Sequence, residues 1–369
     1  RMTKTCDFLV IGGGIAGISA AAFLSAKARV IVLEAEKTPG YHATGRTAAI
    51  YIRNYGNATL RALNAAAHGF LVEPEGVSET SLLSPRGELM IATEDELPTF
   101  DTYVAGASGM DRLTAAEAVE LFPILRPEPI AAAAIERDAM DIDVDRFLQG
   151  LIRLLRRRGG DIVTGAPVSS LVREDGVWTA ETPTGRFSAP VIINAAGAWA
   201  DQIAQLAGAR PLSITPMRRS AALLPAPDGY DVDRWPLVAS ASERWYAKPE
   251  AGKIMVSPAD ETAVEAHDAW ADEMDLAEGL FRFEQAVTTP VTRVETSWAG
   301  LRSFAPDRTP VCGFDTEREG IFWLAGQGGY GIQTAPALAR LTVQLCLGEK
   351  PDLSSATVAA LDPKRFAGA

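Results

Sequence analysis

Cysteine and histidine are scarce in this sequence of 369 residues, which contains three of each. The cysteines, Cys6, Cys312 and Cys346, lie far apart and form no C-x-x-C pair. The sequence therefore predicts neither a disulfide framework nor a redox-active pair, and the cysteines read as small buried side chains in a reducing compartment. The histidines also lack the spacing of metal ligands, so we expect no metal site.

Excess basic charge and long apolar runs are also absent. Thirty-five lysines and arginines face 47 acidic residues, giving a net charge of −12, whereas a nucleic-acid partner requires a basic face. No run approaches the roughly 18 uninterrupted apolar residues of a membrane span. The polar start, residues 1–6, does not resemble a secretory signal. We expect a cytoplasmic protein with no nucleic-acid partner and no transmembrane segment, and the length favours two domains.

The most informative pattern lies between Asp7 and Glu36, where strand-like, glycine-rich, helical and strand-like segments follow one another. Gly12 permits a tight strand-to-helix turn, Gly14 lets the backbone approach a pyrophosphate, and Gly17 lets the helix lie close to the sheet. Glu34 ends the second strand, where a carboxylate can accept hydrogen bonds from ribose hydroxyls. An ordinary βαβ turn is the alternative, but the complete arrangement predicts a site for an adenine dinucleotide.

The rest of the chain alternates between this nucleotide fold and other structure. Residues 111–136 look helical or irregular, with three prolines as breakers. Residues 191–200 contain a buried strand that returns to the nucleotide fold. Residues 211–297 show strand-like pieces and then a helix from about residue 275, which is typical of an antiparallel sheet with one covering helix. A strand, a glycine turn and a helix start recur over residues 321–340.

Three blocks of sequence resemble a known family. They are the opening motif, GYHATGRTAA at residues 40–49, and WAGLR at residues 298–302 followed by GGYG at residues 328–331. Together they are similar to the FAD-dependent amino-acid oxidoreductases of the D-amino acid oxidase family, and most similar to bacterial D-arginine dehydrogenases. The resemblance covers the chain from Asp7 to the final helix. It implies FAD bound without a covalent bond.

The resemblance also implies the fold. The expected class is α/β, with a Rossmann-like FAD-binding domain of the glutathione-reductase type around a parallel sheet. An α+β substrate domain with a mainly antiparallel sheet accompanies it. The FAD-binding domain is predicted to comprise residues 1–80, 140–206 and 298–369, and the substrate-binding domain residues 81–139 and 207–297.

The cofactor-binding residues implied by the motifs come from six segments of the chain. From its residues alone, the segment at 44–47, just before a predicted helix, is equally compatible with a second phosphate or isoalloxazine contact and with a surface loop that carries a helix cap. The predicted cofactor-binding residues are Gly12, Gly14, Ile15, Ala16, Gly17, Glu34, Thr44, Gly45, Arg46, Thr47, Val168, Ala196, Gly197, Gly328, Gly329, Tyr330, Gly331 and Ile332.

The family's chemistry is oxidative deamination of an amino acid. A hydride passes from the α-carbon to flavin N5, and the imino acid product hydrolyses to a 2-oxo acid and ammonia. The expected partners are a small-molecule amino acid and an electron acceptor, either oxygen or a quinone. The predicted substrate-binding residues are Arg302, Arg219, Tyr246 and Tyr55 at the carboxylate, Gly329 at the amine, Gln333 in the same segment, and Glu88 at a cationic side chain.

The substrate implied by the resemblance is a cationic or bulky D-amino acid such as D-arginine or D-lysine. The chain departs from the D-arginine enzyme at Ile50 and Ile52, where that enzyme has histidine and threonine, so one pocket wall is more apolar. Glycine and secondary amines such as sarcosine or proline are the alternative substrates. A pyridine-nucleotide-dependent reductase would need a second nucleotide motif or a redox cysteine pair, and a non-enzymatic flavoprotein would not need an arginine–tyrosine clamp.

Overall fold

The computed structural model describes residues 2–368, which form twenty-two strands in four sheets and nine α-helices. In chain order the strands are Thr3–Thr5 (β1), Phe8–Ile11 (β2), Val30–Leu33 (β3), Ile50–Tyr51 (β4), Leu83–Pro85 (β5), Glu88–Ala92 (β6), Met110–Leu113 (β7), Ala132–Glu136 (β8), Met140–Ile142 (β9), Asp161–Val163 (β10), Ser170–Glu174 (β11), Val177–Thr182 (β12), Gly185–Ala189 (β13), Val191–Asn194 (β14), Thr215–Leu224 (β15), Leu237–Ser240 (β16), Tyr246–Glu250 (β17), Lys253–Ser257 (β18), Thr262–Ala263 (β19), Thr296–Phe304 (β20), Val311–Phe314 (β21) and Ile321–Ala325 (β22). The helices are Ile15–Leu24 (α1), Ala58–Val72 (α2), Leu97–Gly106 (α3), Ala115–Leu121 (α4), Val144–Arg157 (α5), Ala200–Leu206 (α6), Glu273–Ala286 (α7), Gly331–Cys346 (α8) and Ser355–Leu361 (α9). None of these helices is long and apolar enough to cross a bilayer.

The parallel sheet has the strand order β10-β3-β2-β14-β22-β21, and only the edge strand β21 runs antiparallel to its neighbour. Every residue of β2 and β3 is buried, as expected for strands covered on both faces. Helices α1, α2, α5 and α8 share one core cluster with this sheet. A four-stranded sheet, β1-β13-β12-β11, packs on the other side. This layered arrangement is the predicted Rossmann-like half of the fold.

The turn from β2 to α1 depends on two glycines. Gly12 has φ +117°, a conformation that L side chains rarely adopt. A Cβ added at Gly17 would lie 1.9 Å from the carbonyl oxygen of Gly12. The helix therefore approaches the strand as closely as the glycine spacing predicts.

The large sheet has the strand order β19-β15-β18-β17-β16-β6-β8-β7, with β20 also paired to β15. All its pairings are antiparallel except that of β16 with β6, which confirms a mainly antiparallel sheet. Alternate residues point to opposite faces. Val238, Ala247 and Val256 face a core cluster that also holds Phe122 and Phe283. The other face lines a cavity, described below.

Several elements attach the large sheet to the rest of the molecule. Strand β20 pairs with β15 along its whole length, so this sheet continues through residues 296–304, and the predicted domain boundaries stay a prediction. Strands β4, β9 and β5 form a three-stranded sheet from segments distant in sequence. Lys248, from β17 of the large sheet, contacts this small sheet. Its Nζ donates to the Ala48 carbonyl oxygen at 2.6 Å and lies 3.1 Å from Asp141 Oδ1 in β9. Arg86 donates to Asp141 Oδ2 at 2.7 Å.

The prediction for residues 111–136 was wrong in part. This segment contains a short helix, but Ala132–Glu136 forms β8 in the interior of the large sheet. Alanine favours helices, which explains the error. Pairing with β6 and β7 on both sides outweighs that preference, because it satisfies the backbone and buries Ala133, Ala134 and Ile135. Helices α3 and α4 also pack on this part of the sheet, so α7 is not its only covering helix.

Replacing Gly17 with alanine is expected to destabilise the protein by about 1–3 kcal/mol, because the new methyl group requires the helix to move off the strand. Gly69 in α2 is a matched control, since a Cβ added there meets nothing within 4 Å. Gly69→Ala should be stabilising by about 0.5–1 kcal/mol. Urea unfolding midpoints measure both effects. Equal midpoints for the two variants would contradict the close packing of helix on strand.

Candidate active site

A cavity of about 900 Å³ lies between the carboxyl ends of the parallel strands and the exposed face of the large sheet. The volume is near the top of the roughly 300–1,000 Å³ range of ligand cavities. Its position is the usual one in doubly wound folds, at the carboxyl ends of parallel strands. One end contains the glycine turn and Glu34, and the other contains Arg302, Tyr246 and Glu88.

The glycine-turn end is held by side chains that bind the backbone. Glu34 accepts a hydrogen bond from Gly13 N at 2.7 Å and another from Glu36 N at 2.9 Å. Thr44 Oγ1 accepts one from Ile15 N at 3.0 Å, at the first turn of α1. Thr44 itself lies in a 3₁₀-helix, Ala43–Arg46, and strand β4 follows where a helix was predicted. The helical turn therefore coincides with the TGR block and does not follow it.

These residues fit a dinucleotide. A Cβ added at Gly13 would lie 2.7 Å from Glu34 Oε2, and one at Gly14 would lie 3.2 Å from Thr44 Oγ1. The turn is thus a cradle of bare backbone beside the N-terminus of α1, whose N–H groups and dipole favour phosphate. Glu34 is buried at the end of β3, where ribose hydroxyls would donate to it.

Arg46 contacts protein groups on three sides. Its Nη1 donates to the carbonyl oxygens of Ala269 and Ala299 at 3.0 and 3.1 Å, and its Nη2 donates to Asp268 Oδ1 at 2.7 Å. Its Nε donates to the Tyr41 carbonyl oxygen at 3.2 Å. The guanidinium therefore ties the 3₁₀-helix to β20 and to the segment before α7, while the residue still lines the cavity.

Most of the predicted cofactor-binding residues lie at the cavity wall. They are Gly12, Gly14, Ile15, Ala16, Glu34, Thr44, Arg46, Thr47, Val168, Ala196, Gly197, Gly328, Gly329, Gly331 and Ile332. The other three lie behind it. Gly17 packs on Gly12, Gly45 makes a close turn against Gly40, and the Tyr330 ring lies 4.6 Å from that of Tyr55.

The opposite end contains the predicted arginines and tyrosines. A Cβ added at Gly329 would lie 2.7 Å from Arg302 Nη1, so the guanidinium packs directly on the backbone at this glycine. Arg219 Nε donates to the Asp260 carbonyl oxygen at 2.9 Å, and its guanidinium carbon lies 5.8 Å from the Tyr246 ring centroid. The structure thus brings Arg302, Arg219 and Tyr246 together on one face of the large sheet, although they are far apart in sequence.

The two arginines at this end differ in their acidic partners. Arg219 lies 3.7 Å from Glu261, whereas no carboxylate of the described residues lies within ion-pair distance of Arg302. Burial acts to lower the pKa of Arg302, but the adjacent Tyr246 and Tyr55 outweigh it and raise that pKa. Burial raises the pKa of Tyr55. Burial also acts to raise the pKa of Tyr246, yet Arg302 and Arg219 lower it overall. Two arginines on one face of the sheet, one of them without a carboxylate at ion-pair distance, suit a carboxylate ligand.

Glu88 lies on β6, at the same end of the cavity as the arginines but on a different strand of the large sheet. It is 6% exposed, and its Oε2 has no hydrogen-bond partner among the described residues. Burial, followed by the charges of Glu136 and Glu243, raises the pKa of Glu88 to about 8. A buried carboxyl group without a donor is unfavourable when ionised, so this position favours a cationic ligand or a retained proton.

Gln333 lines the cavity, but its amide is committed to the protein. Its Oε1 accepts from Ile52 N at 3.0 Å, and its Nε2 donates to Asn64 Oδ1 at 2.7 Å. Asn64 Nδ2 in turn donates to the Tyr55 carbonyl oxygen at 3.0 Å. These two amides hold the segment that presents Tyr55. Asn64 was missed from the sequence, although an asparagine on the apolar face of α2, beside Leu63, was a usable signal.

A protein-family model described as FAD dependent oxidoreductase matches residues 7–345. The chain belongs to this family. It is therefore an FAD-dependent oxidoreductase, and FAD is the dinucleotide that the glycine turn and Glu34 fit. The family and the cofactor predicted from the sequence are both confirmed.

The oxidoreductase is similar to several known proteins over nearly its whole length. It is 26% identical over 387 residues to the uncharacterized oxidoreductase YurR of Bacillus subtilis, covering 94% of this chain and 96% of that protein. It is 26% identical to the glycine oxidase of Geobacillus kaustophilus, covering 93% of each. The crystal structure of L-proline dehydrogenase from P. horikoshii superposes with a TM-score of 0.85 and 22% identity, covering 99% of this chain and 98% of that one. The last likeness confirms the predicted fold class.

Glu243 is a cavity residue of the oxidoreductase that the sequence did not reveal. It lies between β16 and β17 with φ +52°, a left-handed conformation that is uncommon for a residue other than glycine. It lines the cavity and interacts electrostatically with Tyr55, Glu88 and Arg302. The local sequence reads as an exposed polar turn, so no pattern separates Glu243 from a surface residue.

Proposed function

We propose that the oxidoreductase oxidatively deaminates D-amino acids with a cationic or bulky side chain, D-arginine and D-lysine foremost. One observation carries this proposal. The cavity contains an arginine without a carboxylate partner, Arg302, and a buried carboxyl group without a hydrogen-bond donor, Glu88. An amino acid with a cationic side chain supplies both missing partners, since its carboxylate pairs with Arg302 and its side chain with Glu88.

The spacing of the strands supports this pairing. Arg302 lies on β20 and Glu88 on β6, and the order β20-β15-β18-β17-β16-β6 places five strand spacings between the two strands. At about 4.8 Å per spacing, the two strands are about 24 Å apart across the sheet. Side chains extending from both strands leave room for an amino acid with a long side chain.

Each residue would have a defined role. Arg302 and Arg219 hold the substrate carboxylate, and the planar guanidinium allows two parallel hydrogen bonds where lysine offers a point charge. The hydroxyls of Tyr246 and Tyr55 lie at the same group, and the carbonyl oxygen of Gly329 accepts from the amine. These contacts fix the α-carbon, which determines whether the reaction proceeds. Bound FAD supplies the acceptor for the hydride.

The resemblance to D-arginine dehydrogenases supports the role of Glu88, because the segment SPRGEL matches that enzyme's side-chain-binding segment. Ile50 and Ile52 line the same cavity and make one wall apolar, which extends the proposed range to bulky apolar D-amino acids. Either oxygen or a quinone would accept the electrons from the reduced flavin.

Glycine and secondary amines are the rival substrates. They are favoured by the similarity to a glycine oxidase, which is 26% identical over 93% of this chain. Such substrates have no cationic side chain to pair with Glu88. A buried, unpaired carboxyl group would then destabilise the protein without contacting the substrate. We therefore rank glycine and secondary amines second.

The FAD is proposed to be held without a covalent bond. No cysteine lines the cavity within residues 2–368, and its two histidines contact protein groups, His42 with Glu36 at 2.9 Å and His267 with the Glu265 carbonyl oxygen at 2.6 Å. Acid precipitation of the yellow holoenzyme should release all flavin into the supernatant. Flavin that stays with the pelleted protein would show a covalent link.

Replacing Arg302 with lysine is expected to lower kcat/KM on the order of 10², because a single-point contact lets the α-carbon move away from its reactive position. The charge is retained, so stability should change little. Arg153 is exposed on α5, and Arg153→Lys is the matched control. Steady-state kinetics with D-arginine measure the effect. Equal kinetics for the two variants would remove Arg302 from the site.

Replacing Glu88 with leucine is expected to weaken D-arginine and D-lysine relative to D-leucine and D-methionine. A charge-assisted hydrogen bond of about 1.5–3 kcal/mol corresponds to a change of about 10- to 150-fold in the ratio of kcat/KM values. Glu120→Leu, at an exposed position of α4, is the control. A parallel loss for all four substrates, or no change, would show that Glu88 does not select the side chain.

A further inference from the structure

A second buried carboxyl group lies beside Glu88. Glu136 on β8 is directly opposite Glu88 in the antiparallel pair formed by β6 and β8. Directly paired residues project from the same face with Cβ atoms about 4.5–5.5 Å apart. Glu136 is 0% exposed and does not line the cavity, and its Oε2, like that of Glu88, has no hydrogen-bond partner among the described residues.

The surroundings of the two carboxyl groups are not equivalent. Asn54 Nδ2 donates to Glu136 Oε1 at 2.7 Å, whereas no hydrogen bond from the described residues reaches Glu88. Burial raises the pKa of Glu136 to about 7, with Asn54 opposing the increase, and raises that of Glu88 to about 8. The hydrogen bond from Asn54 favours the ionised form of Glu136, so Glu136 is the first of the two to lose its proton, and its charge then disfavours ionisation of Glu88.

The other titratable groups near the pair are few. Two acidic groups interact electrostatically with it, Glu243 from the turn between β16 and β17 and Asp138 from the turn between β8 and β9. The others are Tyr103 from α3, Tyr51 from β4, and Arg53 from the segment after β4. Of these only Arg53 is basic, and it pairs with Asp138 at 3.2 Å. No cation of the described residues forms an ion pair with either carboxyl group.

We propose that Glu136 is a specificity-determining residue that acts through Glu88. Its charge keeps a proton on Glu88 in the empty cavity, and a cationic ligand group displaces that proton to solvent when it binds. The balance is one proton released for one cation bound, with Glu88 changing from carboxylic acid to carboxylate. The second part of this inference rests on the proposed function, since it requires a cationic substrate.

The first part can be tested without any substrate. Infrared difference spectra of the ligand-free holoenzyme, titrated from pH 6 to 10, follow the carbonyl band of protonated carboxyl groups. The band that Glu88→Gln removes should disappear with a midpoint near pH 8 in the unmodified protein. In Glu136→Gln this midpoint should move down by about one to two pH units, the size expected when a unit charge is removed from a neighbouring buried carboxyl group.

The control and a second variant keep this test decisive. Glu120→Gln, on the surface of α4, should leave the midpoint in place. Glu136→Leu removes the same charge with an apolar side chain and replaces Glu136→Gln if that variant does not fold. An unchanged midpoint in a folded Glu136 variant would overturn the proposal. Glu88→Gln should leave the Glu136 midpoint unchanged, because Glu136 ionises while Glu88 is still neutral.

The second part is tested by pH profiles of kcat/KM. A raised acid pKa means that the carboxylate forms only as the pH rises through it, so D-arginine turnover should gain activity over that range. In Glu136→Gln, the rise of kcat/KM with pH should move to lower pH for D-arginine. The kcat/KM profile for D-leucine should stay in place. D-leucine is the control for the α-amine, which titrates in the same way in both substrates. A shifted infrared midpoint with no D-arginine turnover would sink the proposed function and leave the coupling intact. An unshifted midpoint together with D-arginine turnover would overturn the coupling of Glu136 to Glu88 and leave the proposed function intact.

Discussion

The burial of Glu88 without a hydrogen-bond donor is the constraint on which this site depends. An ionised carboxylate in such a position costs several kcal/mol unless a cation accompanies it. The protein provides none within the described residues, and it places a second acid, Glu136, on the neighbouring strand. The carboxyl group of Glu88 is thus left without a partner from the protein. Across the same sheet, Arg302 has no carboxylate at ion-pair distance among the described residues, although Glu243 acts on it electrostatically.

The large sheet brings these charged side chains to the cavity. Because alternate residues face opposite sides, one face packs on Phe122 and Phe283 while the other presents charged side chains to the cavity. Strand pairing fixes the backbone that carries Arg302 and Glu88, because β20 pairs with β15 over its whole length and β6 pairs with β8 and β16. Arg46 joins the 3₁₀-helix of the cofactor half to β20 through Ala299 and to the segment before α7 through Ala269 and Asp268. Direct hydrogen bonds therefore hold the glycine-turn end of the cavity against the large sheet and that segment.

Local patterns revealed the cofactor half because its chemistry is local. Gly12, Gly17 and Glu34 lie within one βαβ unit, where spacing along the chain determines spacing in three dimensions. The substrate side is assembled from strands far apart in sequence, so Arg219 and Arg302 could be identified only through resemblance to a family. Their roles stay predictions.

Some features had no local signal at all. Glu243 reads as a polar turn, and Glu136 ends an alanine-rich segment that looks helical. The position of Glu136 beside Glu88 follows from the pairing of β8 with β6, which no periodicity encodes. The amide of Gln333 is another case, because its partners Ile52 and Asn64 come from the other end of the chain.

The central claim is that this FAD-dependent oxidoreductase acts on D-amino acids with cationic side chains. Its most direct test is anaerobic mixing of the holoenzyme with a panel of amino acids while the flavin absorbance is followed. D-arginine and D-lysine should bleach the flavin faster than D-leucine, and glycine, sarcosine and L-proline should do so least. Rapid bleaching by glycine, sarcosine or L-proline, with none by any D-amino acid, would contradict the account.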